Sequence, residues 1–440
     1  MPASNSETED PRGVASPQRV AIVSHAHPSV SKGGAEIAAF ALYEGLLELG
    51  HDAIFIAAVA ESDRRKAFRG SEREWLVYLP DDSFEPFYQL SSQNAGAEIE
   101  GIIRSRGSRI VNFHHFNFVG LDALRRVRAA PNLRVAFTFH EFLALCPHHG
   151  LMVTPQGHRL CESPSPGACV ACFPNRTRFD FHQRRRLLLE TLSSFDQFIA
   201  PSYFLAERLC DWGLDEARMF VVENGLAKAP ERRSTSRSKF RRDWVFGFFG
   251  QINPYKGVDV LLDAAEILQQ ARAANVRIRI HGNLVQQSEA FCERLRAATA
   301  SGVVEFTGAY DHRMVDRLMA ECDYVVVPSR WWENSPLVIQ EAFGAGRPVL
   351  CAGMGGMAEK VRAGESGLHF APGAAADLAR CILEAADEPV HERLVKGLPR
   401  PLDGAEMARR YLHVFLTSAK PRPTARIVET ADAVQAITFG

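Results

Sequence analysis

Short runs of β-branched and other apolar residues alternate along most of the chain with stretches whose apolar positions recur at helical spacing. Arg19–Ser24, Asp52–Ala58, Glu74–Leu79, Arg109–Phe113, Arg134–Phe139, Gln197–Ala200 and Met219–Val222 read as strands. A helix from about Ala35 to Leu49 follows the turn at Gly33-Gly34 and stops at Gly50, a glycine suited to a C-cap. The rhythm breaks between about Ala227 and Arg242, which are polar and carry no periodicity, and then restarts. Strands are predicted at Trp244–Phe249, Val276–His281, Val303–Thr307, Tyr324–Val327, Pro348–Cys351 and Leu368–Phe370. Alternation of this kind predicts parallel strands with crossover helices on both faces. The chain therefore reads as an α/β protein of two doubly wound, Rossmann-like domains facing each other across a cleft. They are expected at 19–226 and 244–402, joined by a linker at 227–243. A last helix, within 403–420, is expected to return to the first domain. Residues 1–18 and 421–440 read as tails.

Ligands of such sheets sit beyond the carboxyl ends of the strands. The segment Pro328 to Gly346 follows one such end. Ser335-Pro336 inside it reads as a helix start, with serine as N-cap and proline as first helical residue. The free amides of Leu337 and Val338 would then favour a phosphate. Glu341 lies roughly 7–8 Å along the axis from Pro336, at the rise of an α-helix. A carboxylate accepts two hydrogen bonds and so matches a vicinal diol. Glu341 is assigned to ribose hydroxyls and Glu333 to those of a transferred sugar. A second anion site is expected at Phe249 to Gly257, where Gly250 and Gly257 admit close backbone approach and Lys256 reaches a diphosphate.

Bulk properties narrow this little. The 440 residues suit two domains, and 46% apolar with 23% charged residues is ordinary globular composition. A formal net charge of −1 gives no general attraction to nucleic acid. Basic clusters at Arg64-Arg65-Lys66, Arg125-Arg126 with Arg128, and Arg184-Arg185-Arg186 read first as solvated helix faces. Their alternative is a patch for the inner membrane face or a phosphate-bearing acceptor. No signal peptide or membrane span is evident, and nine cysteines without an export signal argue for the cytoplasm.

Taken together, the motifs resemble glycosyltransferase family 4, of the GT-B fold. The resemblance covers nearly all of Arg19 to about Leu416. It rests on Gly33-Gly34-Ala35-Glu36, Thr138-Phe139-His140-Glu141, Asn224-Gly225, Gly250 through Lys256-Gly257, Phe306-Thr307-Gly308, Glu333 through Glu341, Gly346-Arg347-Pro348-Val349 and Gly355-Gly356. It implies a retaining transfer from a UDP- or GDP-sugar to a glycan or lipid-linked acceptor, as in surface polysaccharide biosynthesis. It also implies catalysis without a metal, with the leaving phosphate taking the acceptor proton. The resemblance places Glu333 and Glu341 on donor sugar and ribose, Lys256 on the diphosphate, the Gly33-Gly34 loop near the diphosphate, and His140 near the reacting sugar. Gln251 departs from the pattern: many members carry arginine there. More of the charge stabilisation then falls to Lys256 and the helix start, with Arg330 as a helper. The rival readings are a nucleotide-sugar epimerase on the same fold and a non-catalytic relative that binds a nucleotide sugar.

Four of the nine cysteines, Cys146, Cys161, Cys169 and Cys172, fall in a Pro-, Gly- and Ser-rich insertion at 144–175. The last two form a Cys-x-x-Cys pair, which suggests a structural zinc. Free thiols, a redox pair or an iron cluster are the alternatives, and His148, His149 and His158 compete as ligands. The remaining five, Cys210, Cys292, Cys322, Cys351 and Cys381, are expected in the core.

Overall fold

The computed structural model describes residues 16–91, 95–156, 159–227, 243–273 and 275–417. Nearly all of the expected linker and both tails lie outside these residues. Among the described residues the strands are β1 (Arg19–Ser24), β2 (Asp52–Ala60), β3 (Glu74–Leu79), β4 (Phe84–Glu85), β5 (Leu90–Ser91), β6 (Ile110–Phe113), β7 (Arg134–Thr138), β8 (Gln197–Ala200), β9 (Met219–Val221), β10 (Trp244–Phe249), β11 (Val276–His281), β12 (Val304–Gly308), β13 (Tyr324–Val327), β14 (Val349–Ala352) and β15 (Gly367–Phe370). One sheet has the order β3-β2-β1-β6-β7-β8-β9 and the other β12-β11-β10-β13-β14-β15, while β4 and β5 form a separate small hairpin. Every strand pair of the second sheet is parallel. The expected strands are all present, with boundaries shifted by no more than a residue or two.

The chain divides into two compact units. One is built from the residues up to Thr138, from Thr191–Phe198 and from the C-terminal helix Gly404–Leu416. The other is built from Phe139–Glu190 and Ile199–Asp403. The C-terminal helix thus returns to the first unit, as the sequence suggested. There it packs on the helix Gly34–Glu48 so closely that a Cβ on Gly45 would lie 2.0 Å from the Gly404 carbonyl oxygen. Tyr411, Val414 and Phe415 are buried against that unit, and Arg134 and Gln197 donate to the Phe415 and Val414 carbonyls.

The inner strands β10, β13 and β14 are buried along their whole length, which explains their continuous apolar runs, whereas β11 and β12 toward one edge alternate buried with more exposed positions. Phe246, Ile278, Ile280, Val325 and Leu350 are wholly buried. Phe246 stacks on Tyr324 at 5.1 Å, and the Tyr324 hydroxyl donates to the Ala385 carbonyl at 2.8 Å. Cys322, Cys351 and Cys381 belong to this core, but Cys210 and Cys292 are only half-buried, contrary to expectation. Each lies on an amphipathic helix, where one cysteine can flank the buried stripe as easily as join it.

The basic clusters are not free patches. Arg64 pairs with Glu61, Lys66 with Asp63, Arg126 with Glu100 and Arg186 with Glu190. Arg184 is buried and donates to the carbonyls of Leu143 and Ala144, so the expected solvated face fails there.

Candidate functional site

The order of the second sheet puts β10 beside β13, although their connections leave toward opposite edges. Such a switch point opens a crevice at the carboxyl ends of the strands. The two loops that leave β10 and β13 are the two the sequence singled out. They are bound together: Arg330 N donates to the Tyr255 carbonyl at 2.8 Å, and Trp331 stacks on Tyr255 at 5.7 Å. Gly257 has φ 71° and caps the helix Val258–Gln270. A Cβ there would stand 1.8 Å from the Pro328 carbonyl oxygen, so the approach of the loops requires glycine.

Glu333 is buried between these loops. Its Oε1 accepts from Lys256 Nζ at 2.7 Å, from Trp331 Nε1 at 2.8 Å and from Ser329 Oγ at 2.8 Å. Burial pushes the carboxyl up, but the Lys256 charge and these bonds outweigh it, and the group stays below the usual carboxylate range. Its backbone is fixed as well. Gly356 N donates to the Glu333 carbonyl at 2.8 Å, and a Cβ on Gly356 would lie 1.8 Å from the Asn334 carbonyl oxygen. Asn334 Nδ2 in turn donates to the His140 carbonyl at 3.2 Å. His140, Lys256 and Glu333 thus belong to one unit.

The following helix spans Leu337–Gly344, and Pro336, with φ −67° and ψ 114°, is its N-cap. The expected Ser335 cap and Pro336 first residue are therefore corrected by one position. The extended ψ of Pro336 puts the serine a residue too far back to reach the first-turn amides. The Ser335 hydroxyl is buried and has no hydrogen-bond partner among the described residues. Leu337 and Val338 occupy the first turn, where amides have no acceptor within the helix.

Glu341 is also buried, but its surroundings are opposite in kind. Burial, then the nearby Asp316, push its carboxyl up to about 7. His312 Nε2 stands 3.3 Å from its Oε1. Arg330 is held by Asp259 at 2.5 Å. Gln251 is exposed, next to Gly250, whose φ is 140°.

In the first unit β1 and β6 form a similar switch point. His25 follows β1, and His114 and His115 follow β6. Gly33 caps the helix Gly34–Glu48, and the Glu36 carboxylate folds over it: a Cβ on Gly33 would lie 2.5 Å from Glu36 Oε2. The Ser31 hydroxyl donates to Glu36, and His25 Nε2 lies 3.5 Å from Glu36 Oε1. Gly34 has open space around it. Burial, then His115 and His114, hold His25 well below the usual imidazole range, so it is neutral near pH 7.

Sequence reading missed Ser329 and Trp331 as holders of Glu333, Gly356 as its backbone support, and His25 beside Glu36. It also missed an aromatic set at the ends of β10 and β11: Phe249 stacks on His281 at 4.6 Å, with Tyr310 edge-on to both. Glycine pairs beside the Glu333 segment were a usable signal for Gly356; the others carry no local signature. The four clustered cysteines are partly exposed free thiols. No group of three or more His, Cys, Asp or Glu among the described residues is arranged to hold a metal. His158 lies outside the described residues.

Comparison with known proteins bears on the family and the fold. The family model described as Glycosyltransferase Family 4 matches residues 32–228, and that described as Glycosyl transferases group 1 matches residues 231–396. A D-inositol 3-phosphate glycosyltransferase of Thermomonospora curvata is 32% identical over 227 residues, 47% of this chain and 52% of the relative. A glycogen synthase of Mycobacterium tuberculosis is 27% identical over 246 residues, 54% of this chain and 58% of the relative. The matched part thus spans about half the length of these curated relatives. Among solved structures, Anabaena HepE in complex with UDP has a TM-score of 0.64 at 16% identity, covering 90% of this chain and 99% of that one. Staphylococcus aureus TarM, in complex with UDP among other ligands, has a TM-score of 0.64 at 10% identity, covering 91% and 100%. The two matched domains and the two parallel sheets together make this chain a member of the family 4 type of glycosyltransferases, with the GT-B fold.

Proposed function

We propose that the chain transfers a sugar from a UDP-sugar to a glycan or lipid-linked acceptor, with retention of configuration and no catalytic metal. The observation that carries this reading is Glu333, a buried carboxylate whose Oε1 takes all three donors while a helix start follows within four residues. Lys256 stands where a diphosphate at that helix start would share it with Glu333. Breaking the anomeric bond builds negative charge on the leaving diphosphate, and fixed donors in a dry crevice stabilise that charge. Lys256 and the Leu337 and Val338 amides are those donors, with Glu341 on the ribose diol and His140 oriented toward the sugar. UDP is favoured over GDP because HepE and TarM are solved with UDP.

Surface polysaccharide assembly in the cytoplasm, at the inner membrane face, is the setting this reading supplies. No described helix is long and apolar enough to cross a membrane. A thermal-shift screen across UDP- and GDP-sugars tests the donor, since a bound ligand stabilises by mass action. The expected result is a rise in Tm of several degrees with one UDP-sugar. No shift with any nucleotide sugar, together with no release of nucleoside diphosphate in the presence of acceptor extracts, overturns the proposal.

A further inference from the structure

The loop that carries Glu333 holds two consecutive tryptophans with different partners. Trp331 Nε1 donates to the Glu333 carboxylate at 2.8 Å, and its ring stacks on Tyr255. Trp332 Nε1 donates instead to the Cys161 carbonyl at 3.0 Å, and its ring lies 5.2 Å from that of Phe204. Arg208 follows Phe204 by one turn on the helix Tyr203–Trp212. Its guanidinium carbon lies 4.6 Å over the Phe204 ring and 4.7 Å over the Trp332 ring. Its Nη1 donates to the Glu162 carbonyl, while its Nε is buried and has no hydrogen-bond partner among the described residues. The group is therefore held mainly by two aromatic faces, a setting that suits a planar guanidinium better than an ammonium.

The helix that carries Arg208 is fixed to the same frame as Glu333. The Glu359 carboxylate accepts from the Tyr203 and Phe204 amides at 2.9 and 3.0 Å, at the start of that helix. Glu359 belongs to the helix Gly355–Lys360, whose Gly356 amide binds the Glu333 carbonyl. Gly355 completes the contact: a Cβ there would lie 3.2 Å from Phe204 Cε1 and 3.1 Å from the Glu333 carbonyl oxygen. Lys256, Ser329 and Trp331 hold the Glu333 carboxylate directly, and Arg208 holds the neighbouring Trp332. All of these residues lie in one unit.

We propose that Arg208 is a positioning residue for sugar transfer: it fixes Trp332 and, through it, the bond from Trp331 to Glu333, given the part that Glu333 plays toward the donor sugar in the proposed function. Without the guanidinium, Trp332 keeps its bond to Cys161 and its contact with Phe204, and the carboxylate loses a fixed direction. Misplacing a catalytic group by about 1 Å can cost about 100-fold in rate. The Leu337 and Val338 amides and Glu341 belong to the following helix, so nucleotide binding is separate from this change.

The experiment pairs kinetics of UDP release from UDP-glucose with hydrogen-exchange mass spectrometry on the full chain, for Arg208→Met, Trp332→Leu and the double variant. Arg208→Met keeps the length of the side chain and removes its charge and plane. The expected kcat per folded chain is about tenfold lower in Arg208→Met, with KM changed by less than about threefold. A role in stability alone would lower the folded fraction and leave that kcat unchanged. The double variant should be no slower than Trp332→Leu, because the two side chains act as one. With no nucleotide sugar present, the amides of 328–336 should exchange faster in Arg208→Met, while those of 244–249 keep their rates. If the parent releases no UDP, which counts against the proposed function, the exchange measurement alone decides the role of Arg208. Unchanged exchange at 328–336, an unchanged kcat in Arg208→Met, or losses that multiply in the double variant overturn the proposal.

Discussion

Two glycine turns follow the first strands of the two sheets' switch points, and they are filled differently. At Gly33 the missing Cβ makes room for the carboxylate of Glu36, from the same helix. At Gly257 it makes room for the Pro328 carbonyl of a second loop. The first turn is closed by a side chain; the second is a backbone joint. The lesson is that one topology can close its turn with a side chain in one unit and with backbone in the other.

The largest effect that sharpens this contrast is expected beside the backbone joint. Lys256→Ala leaves the buried Glu333 carboxylate without its cation and should cost about 3–5 kcal/mol of stability. Chemical denaturation checks this, and a loss below 1 kcal/mol would show that the pair is not a structural anchor. Gly257→Ala should cost at least about 1–3 kcal/mol from the left-handed backbone alone. Gly33→Ala has only the end of a glutamate to displace, so its measured cost should be clearly smaller. Equal costs would remove the distinction between the two turns.

Glu341→Gln should weaken UDP-sugar binding about tenfold, the scale of one lost charged hydrogen bond. The pH dependence follows from its raised carboxyl. On the proposed reading ionised Glu341 accepts both diol hydrogens, so donor affinity should rise as pH climbs through about 7 and should be flatter in Glu341→Gln. A UDP-sugar is the right probe because its esterified diphosphate has no proton to lose in that range. Stability should move oppositely. The folded group holds its proton above the unfolded pKa, so its contribution is full at acid pH and is lost as pH rises through about 7.

The smallest effect is expected at Ser335. A true N-cap serine would cost about 1 kcal/mol on removal. The hydroxyl here caps nothing, so Ser335→Ala should change stability by less than about 0.5 kcal/mol. Thermal melts decide between the two.

Strand and helix periodicity exposed the fold well, because buried parallel strands are apolar along their whole length. The sequence also singled out Lys256 and Glu333 as candidates, since loops at strand ends carry turn residues and charge together, and Glu341 on the helix that follows. It did not show that Lys256 and Glu333 bond each other across 77 positions, nor that Ser329 and Trp331 share the same oxygen. Those contacts depend on β10 lying beside β13, a non-local pairing that no local pattern encodes. The one-residue error at Pro336 has a different origin: Ser-Pro favours a helix start, but ψ at the proline is set by the packing of the loop before it. Arg184 was misread because three consecutive arginines look solvated until the carbonyls of Leu143 and Ala144 are seen to take one inward.

The central claim is that Glu333 and Glu341 face a nucleotide sugar with opposite tasks, one anchored and charged, one held near neutrality until the ribose arrives. Isothermal titration of UDP-glucose into the parent chain and Glu341→Ala at pH 8 tests it most directly. The account predicts measurable binding by the parent and a loss of about tenfold or more in the variant. Equal affinity in the two chains, with the parent binding well, would contradict it.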